Sequence, residues 1–259
     1  MRRARLIALE LGVTALIVAL VWRYAQTSDS LAVAKFSEIW RQFHQLFLFD
    51  RFSSDVLPTL RRVAIGFALS VLIGVLLGLA LGHSRLLRVL TNPLLAFIRA
   101  VPPIALIPPA IILIGIEDNM KITLVTFVCL WPIALNTADG VAEIDQTLKD
   151  TTRTFRLTRW ERLRLVTLPA IAPRVMAGMH ISLALSMIVV IAMEYLIGTE
   201  GLGFVINQAQ QSFLIAQMWA GVVMLALLGY LLNLGFTRTR DKLLYWLPKS
   251  ESSVEEASA

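Results

Sequence analysis

Six stretches of this chain are continuously apolar over roughly the 20 residues that a helix needs to cross a bilayer core. They lie near residues 6 to 22, 63 to 82, 94 to 116, 122 to 138, 174 to 198 and 216 to 236. Their Leu, Ile, Val and Ala do not alternate with polar residues, which predicts helices and argues against the strands of a membrane barrel. Between the first two runs, Phe36, Ile39, Trp40, Phe43 and Phe47 recur at helical spacing, and Lys35, Glu38, Arg41 and Gln42 take the other face. This pattern predicts an amphipathic helix near 33 to 48, lying on the outer membrane surface or against its own bundle. The longest polar connection, residues 139 to 173, also carries helical periodicity. Leu148, Thr152 and Phe155 share one face, and Leu163 and Val166 line a second short helix that is expected to end at Leu168 and Pro169. Phe155, Leu157 and Trp160 on this pair serve either as a docking element for a cytoplasmic partner or as cover for the protein's own span ends. The expected architecture is therefore an all-helical, six-span membrane protein, one domain over 1–248 with a disordered Ser- and Glu-rich tail over 249–259.

Composition agrees with a membrane chain. Of 259 residues 57% are hydrophobic and only 16% charged, with a mean hydropathy of +0.70. The net charge of +6 is spread over short loops and forms no single basic face, which excludes a nucleic-acid partner and leaves membrane lipid as the surroundings. The lone Cys129, inside an apolar run, reads as a small buried hydrophobe. Basic residues near span ends tend to stay cytoplasmic. They gather at Arg2, Arg3 and Arg5, at Arg85 and Arg88, from Lys149 to Arg164, and at Arg238, Arg240 and Lys242. The stretch from Thr199 to Gln217 has none. Both termini are thus expected in the cytoplasm; a cleaved signal peptide competes poorly, because Glu10 interrupts the first apolar run.

Within the spans, Gly66, Ser70, Gly74, Gly78 and Gly82 fall four apart, the pattern of a close helix–helix seam. Pro102, Pro103, Pro108 and Pro109 are expected to kink or break the third span, and broken backbone at membrane depth survives only when buried in protein or facing a water-filled cavity. The ionisable residues placed inside spans are Glu10, Arg99, His180 and Glu194. All lie near a span end and could reach an interface by snorkelling. Paired charges at mid-depth, which an ion-coupled carrier would show, are not evident. His44, His83 and His180 fall at or near opposite sides, so no metal site and no catalytic cluster suggests a membrane enzyme.

The segment Asp150-Thr151-Thr152, three residues, Arg156, nine residues, then Val166-Thr167-Leu168-Pro169 resembles the cytoplasmic signature E-A-A-x-x-x-G…I-x-L-P of bacterial ABC importer permeases. Further stretches look like the nitrate, sulfonate and taurine branch of that family: Pro58-Thr59-Leu60-Arg61-Arg62-Val63 with Gly66-Phe67, Arg99 to Pro108, Trp131-Pro132-Ile133 with Asn136-Thr137, and Gly201-Leu202-Gly203. The resemblance implies a type I importer fold and an inner-membrane permease subunit. It also implies a second permease copy or homologous half, two cytoplasmic ATPase subunits and an extracytoplasmic solute-binding protein as partners. It places the coupling helix at Asp150, Thr151, Thr152, Arg153, Thr154, Phe155, Arg156, Leu157 and Thr158, with Leu168 and Pro169 closing the motif. The chain has no G-x-x-x-x-G-K-[ST] loop, so ATP and Mg are expected in the partner ATPase, with no cofactor on this chain. Expected path-lining residues are Arg99, Pro102, Pro103, Ser186, Met187 and Glu194, carrying a small polar organic solute or an oxyanion. The alternative is a stand-alone ion-coupled secondary carrier. Arg156 replaces the family's glycine, and because arginine adopts left-handed backbone only at a cost, the turn there is expected to be built differently.

Overall fold

A computed structural model describes residues 34–47 and 51–246. The run near 6 to 22, with Glu10, and the tail 249–259 lie outside the described residues. In chain order the helices are α1 (Phe36–Gln45), α2 (Leu57–His83), α3 (Arg85–Ala100) and α4 (Ile107–Ile114). There follow α5 (Asp118–Ala142), α6 (Gln146–Thr154) and α7 (Arg159–Arg162), then α8 (Leu168–Ile197), α9 (Leu202–Gln211) and α10 (Ile215–Leu243). No strand occurs among the described residues. Four stretches, Phe52–His83, Asp118–Ala142, Arg159–Ile197 and Ile215–Leu243, are long and apolar enough to cross a bilayer. The third predicted span is a bent pair instead, with 92° between Leu86–Ala100 and Pro103–Ile114.

The bend follows from the prolines. Pro102 and Pro103 offer no backbone donors, and Val101, ahead of a proline, is pushed out of the helical region to φ −77°, ψ 120°. Ser84 starts α3 by accepting the Leu87 amide at 3.2 Å on its hydroxyl. Because α3 begins at Arg85, earlier than expected, Arg99 falls in its last turn beside the bend.

Helix α5 is the centre of the bundle, packed on α2 along one side and on α8 along the other; α9 bridges α8 and α10. With no hydrophobic drive between helices in lipid, close backbone approach supplies the attraction. The small-residue seam of α2 achieves it: a Cβ at Gly66 would stand 2.6 Å from Val125 Cγ1, and one at Gly74 would stand 2.8 Å from the Leu130 carbonyl oxygen. Gly74→Leu is therefore expected to force α2 off α5 and destabilise the bundle by about 1–3 kcal/mol. A thermal unfolding midpoint in detergent equal to that of the parent would contradict this. Across the other seam, Cys129 Sγ donates to the Ser182 carbonyl at 3.3 Å and Ser182 Oγ to the Cys129 carbonyl at 2.6 Å, tying α5 to α8.

Helix α1 packs on α10, and its Phe43 is buried with Val56, Val205, Ala220 and Met224. Phe36 and Trp40 stay more than half exposed. One edge of the amphipathic helix thus meets its own bundle and the other faces outward.

Two π-helical turns, Phe52–Val56 and Leu163–Thr167, stand directly ahead of Leu57-Pro58 and Leu168-Pro169. In each the leucine amide reaches back five residues, Leu57 to Phe52 O and Leu168 to Leu163 O. A proline inside a continuous helix removes one ladder bond and crowds the carbonyl four residues earlier, and a widened turn relieves both. Hence the second short helix does not end at Leu168 and Pro169 as expected. It runs through them into α8 as one stretch, Arg159–Ile197.

Candidate functional site: a buried ionic cluster and an exposed loop at opposite ends

At the bundle end away from residues 143–168, the first turns of α2 and α5, the last turn of α8 and the start of α9 converge on Arg62, which is 1% exposed. Its Nη1 donates to Glu194 Oε1 at 2.7 Å, Nε to Asp118 Oδ1 at 2.8 Å and Nη2 to Glu200 Oε1 at 2.5 Å. Lys121 Nζ lies 3.6 Å from Asp118. Glu194 is fully buried; the Gly203 amide donates to its Oε2 at 3.2 Å, and Thr59 Oγ1 stands 2.8 Å and 2.9 Å from its two oxygens. The carboxylate so occupies the amino-terminal end of α9, where amide dipoles favour negative charge. Thr59 in turn accepts from the Leu202 amide at 3.0 Å, and Asp55 Oδ1 accepts from the Gly201 amide at 3.0 Å. Gly201 is required here: its φ is +106°, and a side chain would collide with the Glu194 carboxylate.

The expectation that Glu194 snorkels is thus corrected: it turns inward because Arg62 and the α9 amides replace water. Reading the spans from residues 63 and 122 leaves Asp55, Thr59 and Arg62 outside the first and Asp118 outside the second, and so misses all four. A signal was present, since Arg62 stands four residues ahead of Gly66 and extends the small-residue stripe by one turn. Arg61, one step off that phase, is exposed.

At the other end, α6 starts on Asp145, whose carboxylate accepts the Thr147 amide at 2.5 Å. The Thr147 hydroxyl, together with that amide hydrogen bond, holds Asp145 below the usual carboxylate range. The helix ends with the Arg156 amide on Arg153 O at 3.0 Å and the Leu157 amide on Thr152 O at 3.1 Å, the paired bonds of a Schellman cap. Arg156 has φ +50°. The turn is therefore built as a glycine would build it, contrary to expectation, with the arginine carrying the strain. Arg156→Gly is expected to relax it by about 1 kcal/mol, and slower hydrogen exchange at the Arg156 and Leu157 amides would register the gain. Thr158 and Glu161 then cap α7 reciprocally, the Thr158 amide donating to Glu161 Oε2 at 2.8 Å and the Glu161 amide to Thr158 Oγ1 at 3.3 Å.

Thr152 is buried toward the span ends, whereas Phe155 is 74% and Trp160 68% exposed. Phe155 and Thr152 therefore do not share a face, because the cap swings Phe155 outward. Asp150, Thr151, Arg153 and Thr154 are exposed, with Asp150 3.3 Å from Arg153, and Leu157 and Pro169 are half-buried. Of the expected path residues, Arg99 and Pro102 are exposed beside the bend, Pro103 is half-buried there, and Met187 lines an apolar groove of about 710 Å³ with Ile104. Ser186 and Glu194 are enclosed within the chain. His180 stacks on Phe236, with Nε2 2.7 Å from Asn233 Oδ1, joining α8 to α10. Among the described residues no three His, Cys, Asp or Glu side chains group as metal ligands.

Residues 51–243 match the family described as binding-protein-dependent transport system inner membrane component. The chain is 26% identical over 226 residues to the nitrate import permease of Synechocystis sp., covering 84% of this chain and 82% of that one. It is 31% identical over 196 residues to the bicarbonate transport system permease of Synechococcus elongatus, covering 75% and 68%. With the taurine transport system permease of Escherichia coli it shares 29% over 188 residues, covering 73% and 68%. The methionine ABC transporter solved in inward-facing conformations superposes with a TM-score of 0.64 at 22% identity, over 73% of this chain and 94% of that one, which shows a common fold. These matches favour an importer subunit over the stand-alone carrier. The chain belongs to the family of inner-membrane permease components of binding-protein-dependent ABC transport systems.

Proposed function

We propose that this chain forms, with a second permease subunit, the passage of an ATP-driven importer for a small polar organic solute or an oxyanion of the nitrate, bicarbonate or taurine class. The solute class rests on relatives named for nitrate, bicarbonate and taurine transport. Partner ATPase subunits hydrolyse ATP with Mg, and a solute-binding protein delivers the solute from outside. The loop from Asp150 to Thr158 is the coupling helix, and the observation that carries this reading is the outward Phe155 at a Schellman-capped helix end. Loop and termini lie in the cytoplasm, as the gathering of Lys149, Arg153, Arg156, Arg159, Arg162 and Arg164 at one end supports. Arg99, Pro102, Pro103 and Met187 border the passage, and Ser186 and Glu194 stand behind it as support.

The bent pair α3 and α4 supplies the broken backbone that such a passage uses. Closing of the ATPase pair moves the loop, and α7, continuous with α8, carries that movement to the buried cluster at the far end. The test is reconstitution of the chain with its ATPase and binding protein in vesicles, followed by uptake of labelled nitrate, bicarbonate and taurine. ATP-dependent accumulation of one of them is expected. Uptake driven by an imposed ion gradient without ATP would overturn the reading.

A further inference from the structure

We propose that a cleft behind the coupling loop binds a phosphate-bearing anion, supplied by the headgroup of an anionic phospholipid. The leaflet involved, the cytoplasmic one, rests on the loop orientation proposed above. The cleft, about 320 Å³, lies between α6 and the adjoining ends of α2 and α5. Lys149, Arg153 and Arg162 line it with His83, Thr152 and Thr167, and no carboxylate does. Among the described residues Lys149 and Arg162 enter no ion pair within 4 Å, whereas Arg153 is paired with Asp150 at 3.3 Å; Glu143 is held outside the cleft by Arg174 at 2.7 Å. The two unpaired cations Lys149 and Arg162, with Arg153 and the Thr167 hydroxyl beside them, match the charge and hydrogen-bonding demand of a phosphate; the Thr152 hydroxyl is already donated to the Lys149 carbonyl at 2.7 Å.

The apolar surroundings indicate where that phosphate comes from. A second cavity of about 340 Å³ shares His83, Arg162 and Thr167 with the first and continues onto Leu79, Ala80 and Leu163. Beyond it, Leu76 and Leu72 stand exposed one and two turns further along α2. Polar hollow, basic rim and apolar track thus follow one another in the order of headgroup, glycerol and acyl chain. A free anion would use the hollow and have no use for the track.

The experiment uses the chain copurified with its ATPase, stripped of lipid in detergent and titrated under native mass spectrometry. The probes are dioleoyl phosphatidylglycerol, dioleoyl phosphatidylcholine and inorganic phosphate. Phosphatidylglycerol is expected to bind at least about tenfold more tightly than phosphatidylcholine, and Arg162→Ala or Lys149→Gln each to weaken it about tenfold. Arg238→Ala, outside the cleft, serves as the charge-matched control and is expected to bind as the parent does. Inorganic phosphate that binds and competes supports the anion site; phosphate binding without any phosphatidylglycerol preference assigns it to free phosphate. Equal affinity for both lipids with no phosphate binding overturns the proposal. So does binding to the isolated chain that vanishes once the ATPase is docked, because an acidic partner residue then fills the cleft. If the ATPase copurifies and the lipids are not distinguished, the importer reading stands and this site alone falls.

Discussion

Arg62→Met is expected to produce the largest loss of stability of any single substitution in the described bundle, about 3–5 kcal/mol. The reason is asymmetric. Asp118 and Glu200 are 33% and 46% exposed at their side chains, so water can replace the arginine for them. Glu194 is fully enclosed and keeps Thr59 and the Gly203 amide as hydrogen-bond partners, leaving a buried carboxylate with no counter-ion in contact. Glu194→Leu alone leaves Arg62 its other two partners and should cost less. The double variant, Arg62→Met with Glu194→Leu, removes both buried charges and should recover most of the loss, since a buried pair exchanged for apolar groups of similar volume is often near neutral. Thermal unfolding in detergent of the three variants forms a double-mutant cycle. If the double variant falls as far as the sum of the two single ones, the cluster is not a coupled unit and the inference fails.

The second large effect concerns transport. Under the proposed coupling role, Phe155→Asp should lower ATP-driven uptake by more than about tenfold, the scale expected when a buried aromatic anchor is lost from an interface. Hydrolysis by the ATPase subunits and the thermal midpoint of the permease should change little, because Phe155 is 74% exposed and a charge there stays in water. Leu157, half-buried beneath the turn, is the contrasting site: Leu157→Asp should impair both folding and uptake. Comparable uptake by Phe155→Asp and the parent protein would remove this residue from the coupling surface.

Much of the fold was legible in the chain itself. Long Leu, Ile and Val runs marked α2, α5, α8 and α10, four-residue spacing of small residues marked the α2 seam, and paired prolines marked the broken third span. Local patterns suffice for these because each concerns one helix. The ionic cluster was not legible, because Arg62, Asp118 and Glu194 lie up to 132 residues apart and meet only through the packing of three helices. Arg156 shows a different limit. Its side chain argued against a left-handed turn, yet the hydrogen bonds from its own and the following amide to Arg153 and Thr152 outweigh that local preference.

The widened turn ahead of Pro169 has a consequence for how such chains can change in length. It holds one residue more than an α-helical ladder would, and the surplus is what makes the proline tolerable within Arg159–Ile197. Deleting one residue between Leu163 and Thr167 would rotate α7 and the loop ahead of it by about 100° about the helix axis, changing the direction in which the exposed Phe155 points. It would also return the proline to an unrelieved helix interior. The extra residue and the proline thus depend on each other, and the bearing of the loop depends on an integer count of residues more than on any single side chain.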